Sequence, residues 1–85
     1  MWDNGLPMSP SADAGLRVRA LADQAVAAAL DADWTRAVDL NQKILEAAPD
    51  DIDAHNRLGR AYVEQGKVEE AKAAFAEVLK AEPYN

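Results

Sequence analysis

Two acidic pairs and one histidine are the side chains of this 85-residue chain that come closest to a catalytic or metal-binding set. Asp50 adjoins Asp51, Glu69 adjoins Glu70, and His55 belongs to the residue type that titrates near neutral pH. Both acidic pairs lie where helices are expected to begin, and negative charge there complements the helix dipole. His55 is expected on a packing face, which favours a structural role over a pH switch.

The rest of the composition argues against an enzyme or a metalloprotein. The chain has no cysteine, so it has no thiol nucleophile or disulfide, and one histidine leaves too few ligands for a zinc site. Neither a glycine-rich phosphate loop nor a serine-histidine-acid set is present. We therefore expect no catalytic activity, no cofactor and no metal.

Charge and hydropathy argue against some classes of binding partner. Nine basic against fifteen acidic side chains give a net charge of -6, which argues against a nucleic-acid partner. No apolar run approaches the roughly 18 residues of a membrane span, and the first residues lack the features of a signal peptide. We therefore expect no membrane contact and a cytoplasmic location. The high alanine content is typical of a GC-rich bacterial source.

Capping and helix-breaking residues predict four helices. Asp33 is placed to cap the second, Pro49 and Pro83 to stop the second and fourth, and Gly66 to close the third in a left-handed conformation. The predicted helices run from Ser9 or Ser11 to about Leu30, from about Trp34 to Ala47, from Asp50 or Asp51 to Gly66, and from about Val68 to Ala81.

The segment 1–12 is predicted to be an irregular arm, and residues 13–85 a single helical domain. The arm contains prolines and isolated large apolar groups, Trp2, Leu6 and Met8. These groups either fold back over a groove or a domain end, form a linear motif for a partner, or belong to a disordered arm.

Residue types in the helical region recur at one fixed spacing along the chain. Ala37 and Ala71 are separated by this spacing, and so are the other matching pairs. A unit of two helices cannot bury its apolar stripe alone and must stack on a neighbour. The matching positions are Ala37 and Ala71, Ile44 and Val78, Leu45 and Leu79, Ala47 and Ala81, and Pro49 and Pro83.

Small residues in this pattern indicate where helices approach closely. Gly59 costs roughly 1 kcal/mol of helix propensity relative to alanine, and close packing is the expected compensation. Ala25, Ala37 and Ala71 are small for the same reason, since a larger side chain would push the helix axes apart.

With these residues in place, the chain resembles the tetratricopeptide repeat family. The family spacing appears in residues 52–85, and residues 18–51 form a second, degenerate unit in which Gln24 and Asn41 replace apolar residues. The well-matched positions are Ala54, Leu58, Gly59, Tyr62, Gly66, Ala71, Phe75 and Pro83. His55 departs from the pattern, because the family usually has a large apolar group at its position.

The resemblance implies a concave groove, lined by the first helix of each unit, that binds an extended peptide. Spacing supports it in the second unit, since Asn56, Arg60 and Glu64 recur every four residues on one stripe. We expect an apolar side chain of the peptide near Val26 and a carboxylate near Arg57 or Arg60. The groove set is Arg19, Ala22, Asp23, Val26 and Ala29 from the first unit, and Asp53, Asn56, Arg57, Arg60 and Glu64 from the second.

The sequence leaves one alternative to this groove open and argues against one class of ligand. The same charges are what a solvated helix surface carries, with Arg60 and Glu64 as an ordinary pair four residues apart. The subclass that clamps the end of a chaperone tail usually has lysine and asparagine where this chain has Ala22 and Val26, which argues against that ligand.

The last helix presents a second candidate surface, for assembly. Phe75 and Leu79 are expected on the side that a following repeat would cover, and Lys72 places a charge where the first unit has Val38. We expect either further chain beyond Asn85 or a second copy to cover this face.

Together these features predict an all-α fold of two stacked antiparallel helical hairpins. The expected function is a non-catalytic scaffold or adaptor that binds a protein or peptide partner. The alternative is a self-assembly element that forms homo-oligomers through its last helix.

Overall fold

A computed structural model describes residues 10–82, and of their side chains those of residues 14–82. The four helices in this range are α1 (Pro10–Leu30), α2 (Trp34–Ala47), α3 (Ile52–Glu64) and α4 (Val68–Ala81), with no strand among the described residues. Each helix packs against its neighbour in sequence across a short turn, which makes consecutive helices antiparallel. The predicted all-α fold of helical hairpins is confirmed.

The helix ends follow the predicted capping chemistry. The Asp33 carboxylate accepts a hydrogen bond from the backbone N–H of Arg36 at 3.2 Å, and the Asp51 carboxylate accepts one from Ala54 at 3.0 Å. Of the two acids proposed to start α3, Asp51 is therefore the cap. The backbone stops helical geometry at Ala48, directly before Pro49, because the proline ring disfavours helical geometry in the preceding residue.

The turns inside the two hairpins share one backbone conformation. Gly66 has φ +77°, as expected of a glycine that closes a helix in the left-handed region. Ala32, which occupies the matching position of the first unit, has φ +58° although its Cβ disfavours that region. The repeat is thus preserved in the backbone even where the side chain no longer suits it.

The core is built mainly from alanine. Seven of the ten buried apolar residues in the described part of the chain are alanines, and the others are Leu40, Ile44 and Leu58. Ala25, Ala28 and Ala37 cluster with Leu40 and with Ala61 where the two hairpins meet. Short side chains let the helices approach closely, so stability depends on close packing more than on the area of any one residue.

Gly59 in α3 and the Phe75 ring in α4 approach closely. A Cβ added to Gly59 would lie 2.6 Å from Cε1, 2.7 Å from Cζ and 2.8 Å from Cδ1 of the Phe75 ring. Distances this short are not tolerated between carbon atoms, so the ring occupies the space that a side chain at position 59 would need. The close approach of helices predicted at Gly59 is present, and the group that lies against Gly59 is the aromatic ring of Phe75.

The arm assigned to residues 1–12 lies mostly outside the described residues, as do Trp2, Leu6 and Met8. Helix α1 begins at Pro10, inside the range assigned to the arm. Proline is accommodated there because the first turn of a helix has no internal partner for a backbone N–H.

A leucine at position 59 should unfold the second hairpin. The Gly59→Leu side chain would displace the Phe75 ring, and overpacking of this kind costs about 1 to 3 kcal/mol or more. Gly15→Leu is the matched control, because nothing lies within 4 Å of a Cβ at Gly15 and the substitution there improves helix propensity. Thermal melting followed by circular dichroism should show loss of helicity for Gly59→Leu alone, and an unchanged melt would contradict the packing account.

Single substitutions at the two hairpin turns, Ala32→Gly and Gly66→Ala, should change the free energy of unfolding in opposite directions. Ala32→Gly relieves the left-handed strain and should raise the free energy of unfolding by about 0.5 to 1 kcal/mol, and Gly66→Ala should lower it by about as much. Urea denaturation of the two single variants measures both changes. A destabilised Ala32→Gly protein would show that chain entropy outweighs strain at this turn.

Candidate functional site

One groove in the described part of the chain is lined by residues of all four helices, and it forms an open cavity of about 470 Å³. Helix α1 forms one wall, α3 the opposite wall, and α2 lies between them, with the buried residues Ala37 and Asn41 reaching the cavity. The lining residues are Ala25, Val26, Ala29, Leu30, Trp34, Ala37, Asn41, Asn56, Arg57, Arg60 and Phe75.

The two walls differ in chemistry. The wall from α1 is apolar, and Val26 and Leu30 remain 45% and 83% exposed. The wall from α3 carries one amide and two guanidinium groups, those of Asn56, Arg57 and Arg60. The cavity can therefore take an apolar group on one side and hydrogen-bond acceptors or negative charge on the other.

Five of the ten groove residues selected in the sequence line this cavity. They are Val26, Ala29, Asn56, Arg57 and Arg60. The other five lie on the same helices, α1 and α3, but do not line it: Arg19, Ala22, Asp23, Asp53 and Glu64. The structure thus concentrates the candidate site at the C-terminal half of α1 and the middle of α3.

Arg60 is engaged by two neighbours. Its Nε lies 3.7 Å from Oε2 of Glu64, and its Cζ lies 5.9 Å from the centre of the Trp34 ring. An exposed ion pair of this kind contributes little stability, but it offsets the charge of the guanidinium. The contact with the indole adds a cation–π attraction that keeps Arg60 near the cavity wall.

Arg57 has a different environment. Its side chain is half-buried, and Nε donates a hydrogen bond to Oδ1 of Asn41 at 3.0 Å. Nδ2 of Asn41 in turn donates to the backbone carbonyl of Ala37 at 2.8 Å. This chain of hydrogen bonds links α2 to α3 and satisfies both ends of an amide that is only 1% exposed.

Sequence reasoning missed Leu30, Trp34, Asn41 and Phe75 as lining residues. Asn41 carried a usable signal, since a polar residue at a position expected to be apolar and buried needs a hydrogen-bond partner. Trp34 carried a weaker one as an aromatic at the start of a helix. Phe75 reaches the cavity only because Gly59 leaves space for its ring, which spacing along the chain does not reveal.

The residues selected for the assembly face lie on α4. Leu79 is 58% exposed, and Lys72 is an exposed cation whose Nζ lies 3.7 Å from Oε2 of Glu69. Phe75 is half-buried because its ring packs over Gly59.

His55 and the acidic pairs have structural partners or positions. Nε2 of His55 lies 3.0 Å from the backbone carbonyl oxygen of Pro49, in the turn between α2 and α3. Asp51 caps α3, and Glu69 and Glu70 lie in the first turn of α4. Among the side chains of residues 14–82, no cluster of three or more histidine, cysteine, aspartate or glutamate residues could hold a metal ion.

Stacked antiparallel hairpins with a groove between their first helices define a helical-repeat protein. A sequence model described as tetratricopeptide repeat matches residues 20–84, and the chain belongs to this family. Proteins of the family generally mediate protein–protein interaction, and the repeats are typically non-catalytic. Searches of curated proteins and of solved structures each gave no match. In the part of the chain that the structure describes, no helix is long and apolar enough to cross a membrane.

Proposed function

We propose that this domain is a non-catalytic scaffold or adaptor that binds a peptide segment of a partner protein in the cavity between α1 and α3. The observation that carries the proposal is the pairing of an exposed apolar wall with a wall of two guanidinium groups. Leu30 is exposed, and a partner that covers it makes binding more favourable by about 25 cal/mol for each Å² of apolar surface removed from water.

The opposed walls favour a ligand with two kinds of group. An aliphatic or aromatic side chain fits against Val26 and Leu30, and a carboxylate fits against Arg57 or Arg60 across the cavity. A peptide supplies both groups within a few residues of each other. Trp34 lines the same cavity, so its fluorescence reports on occupancy.

Removing both cavity arginines should weaken the binding of an acidic ligand. Peptides are selected from a random heptapeptide display library on the full chain, and their affinities are measured by the fluorescence of Trp34 in a Trp2→Phe background. A hydrogen bond to a charged group contributes about 1.5 to 3 kcal/mol, so Arg57→Ala with Arg60→Ala should weaken binding at least about tenfold.

The matched control is Arg17→Ala with Arg36→Ala, which changes the net charge equally at residues outside this cavity. It should leave affinity within about twofold, because exposed charges at a distance are screened by salt. Undiminished affinity in the cavity variant would overturn the groove proposal. Equal losses in both variants would show that net charge, and not the cavity, governs binding.

Self-assembly through α4 is a second candidate, and it is supported by exposed apolar residues. Val68 and Leu79 are 56% and 58% exposed. Val38 and Leu45, which correspond to Lys72 and Leu79 in the repeat, are half-buried in α2. The face that α3 helps to cover in the first hairpin is thus open in the second.

If α4 joins copies of the chain, the protein should sediment as a dimer that Leu79→Glu dissociates. The charge would be buried without a partner in the interface, which is strongly unfavourable. Leu16→Glu is the control, since Leu16 is similarly exposed, at 54%, on α1. Sedimentation equilibrium over a hundredfold concentration range measures the effect, and a monomer throughout would overturn self-assembly.

A further inference from the structure

The two arginines of the cavity are not equivalent. Arg60 has a carboxylate neighbour in Glu64, and its side chain is 70% exposed. In the described part of the chain, no carboxylate pairs with Arg57, which is half-buried and hydrogen-bonded only through Nε to the neutral amide of Asn41. Arg57 therefore keeps an uncompensated charge in a partly desolvated place, where an incoming anion interacts more strongly than at an exposed site.

Asn41 fixes the direction of the Arg57 side chain. The amide is buried, and the bond from Nδ2 to the Ala37 carbonyl turns Oδ1 toward α3. Oδ1 then accepts from Nε of Arg57, and the two terminal nitrogens of the guanidinium stay available for a bidentate contact. A long side chain that is already held in its bound geometry loses less conformational entropy when a ligand arrives.

The chemistry of asparagine suits this role better than that of its alternatives. An apolar residue, expected at this position from the repeat, offers no acceptor for Nε. An aspartate would accept the bond but would also neutralise the guanidinium. A neutral amide positions Arg57 and leaves its charge for a ligand.

We propose that Asn41 is a positioning residue that makes Arg57 the anion-binding group of the cavity, so that the site selects a single carboxylate close to an aliphatic side chain. This inference rests on the proposed function, which left open whether Arg57 or Arg60 meets the carboxylate. Arg60 is instead engaged by its neighbours Trp34 and Glu64. Asn41, the buried polar residue between α2 and α3, gains a role in ligand selection.

The test uses the full chain and two pools of heptapeptides that are acetylated at the N-terminus and amidated at the C-terminus, so that no terminal carboxylate is present. Both pools have a fixed leucine, followed one to three residues later by glutamate in one pool and by glutamine in the other. All other positions are random but exclude aspartate, glutamate and tryptophan. Binding to wild type, Asn41→Leu, Arg57→Ala, Arg60→Ala and the Asn41→Leu/Arg57→Ala double variant is measured by Trp34 fluorescence in the Trp2→Phe background.

Wild type should prefer the glutamate pool by about tenfold, as expected of a charge-assisted bidentate contact. Arg57→Ala should remove the preference, and Arg60→Ala should keep most of it. Asn41→Leu should reduce the preference to about threefold or less with little change for the glutamine pool. In the Arg57→Ala background, Asn41→Leu should have no further effect on the preference, because Asn41 acts through Arg57.

Nuclear magnetic resonance of the free protein gives a second readout. The Nε–H signal of Arg57 should exchange slowly with water in wild type and rapidly in Asn41→Leu, since the bond to Oδ1 is lost. If Asn41→Leu does not fold, Asn41→Thr carries the same test. Threonine has nearly the same volume as asparagine, and its short hydroxyl bonds within its own helix and does not reach Arg57.

The outcomes separate this inference from the proposed function. If wild type binds neither pool, the proposed groove function is overturned and this inference with it. If wild type prefers glutamate and the asparagine variants keep the full preference, only the role of Asn41 is overturned. If those variants weaken both pools equally, Asn41 has a general structural role, which also overturns the inference.

Discussion

Close approach between helices, made possible by alanine and glycine at their contacts, is the constraint on which the rest of this structure depends. Ala25, Ala28 and Ala37 are almost fully buried where α1 meets α2, and Gly59 lies under the ring of Phe75 where α3 meets α4. Small residues contribute little apolar area each, so the domain gains stability only if many of them pack without gaps. Such packing also fixes the distance between α1 and α3, and hence the width of the cavity.

The cavity takes its chemistry from the helix between its walls. Helix α2 contributes Trp34 beside Arg60 and Asn41 beside Arg57, so each guanidinium on α3 is held by a residue of α2. Asn41 replaces an apolar side chain between α2 and α3 with two hydrogen bonds, one to the Ala37 carbonyl of its own helix and one from Arg57 of α3. A buried polar group is tolerated only when it is satisfied, and here its partners are the backbone of its own helix and the side chain that faces the site.

The two units share a backbone and differ in the side chains placed on it. The turns at Ala32 and Gly66, which are equivalent positions of the repeat, both enter the left-handed region. At the same offset, Asn41 corresponds to Phe75, so one position holds a polar link in the first unit and a ring packed on Gly59 in the second. Divergence between copies thus lets one repeated scaffold present both a cavity with two arginines and an exposed apolar helix face.

The sequence alone determined the four helices, because caps, prolines and glycines act on the residues next to them and leave a local signal. It also placed Val26, Asn56, Arg57 and Arg60 on the groove helices, since helical periodicity decides which residues share a face. Only the tertiary structure decided which of these side chains meet in one cavity, and that Arg19, Asp23 and Glu64 lie outside it. The difference between Arg57 and Arg60 was likewise invisible in the sequence, because it depends on contacts with Asn41 and Trp34, residues that packing and not chain proximity brings to α3.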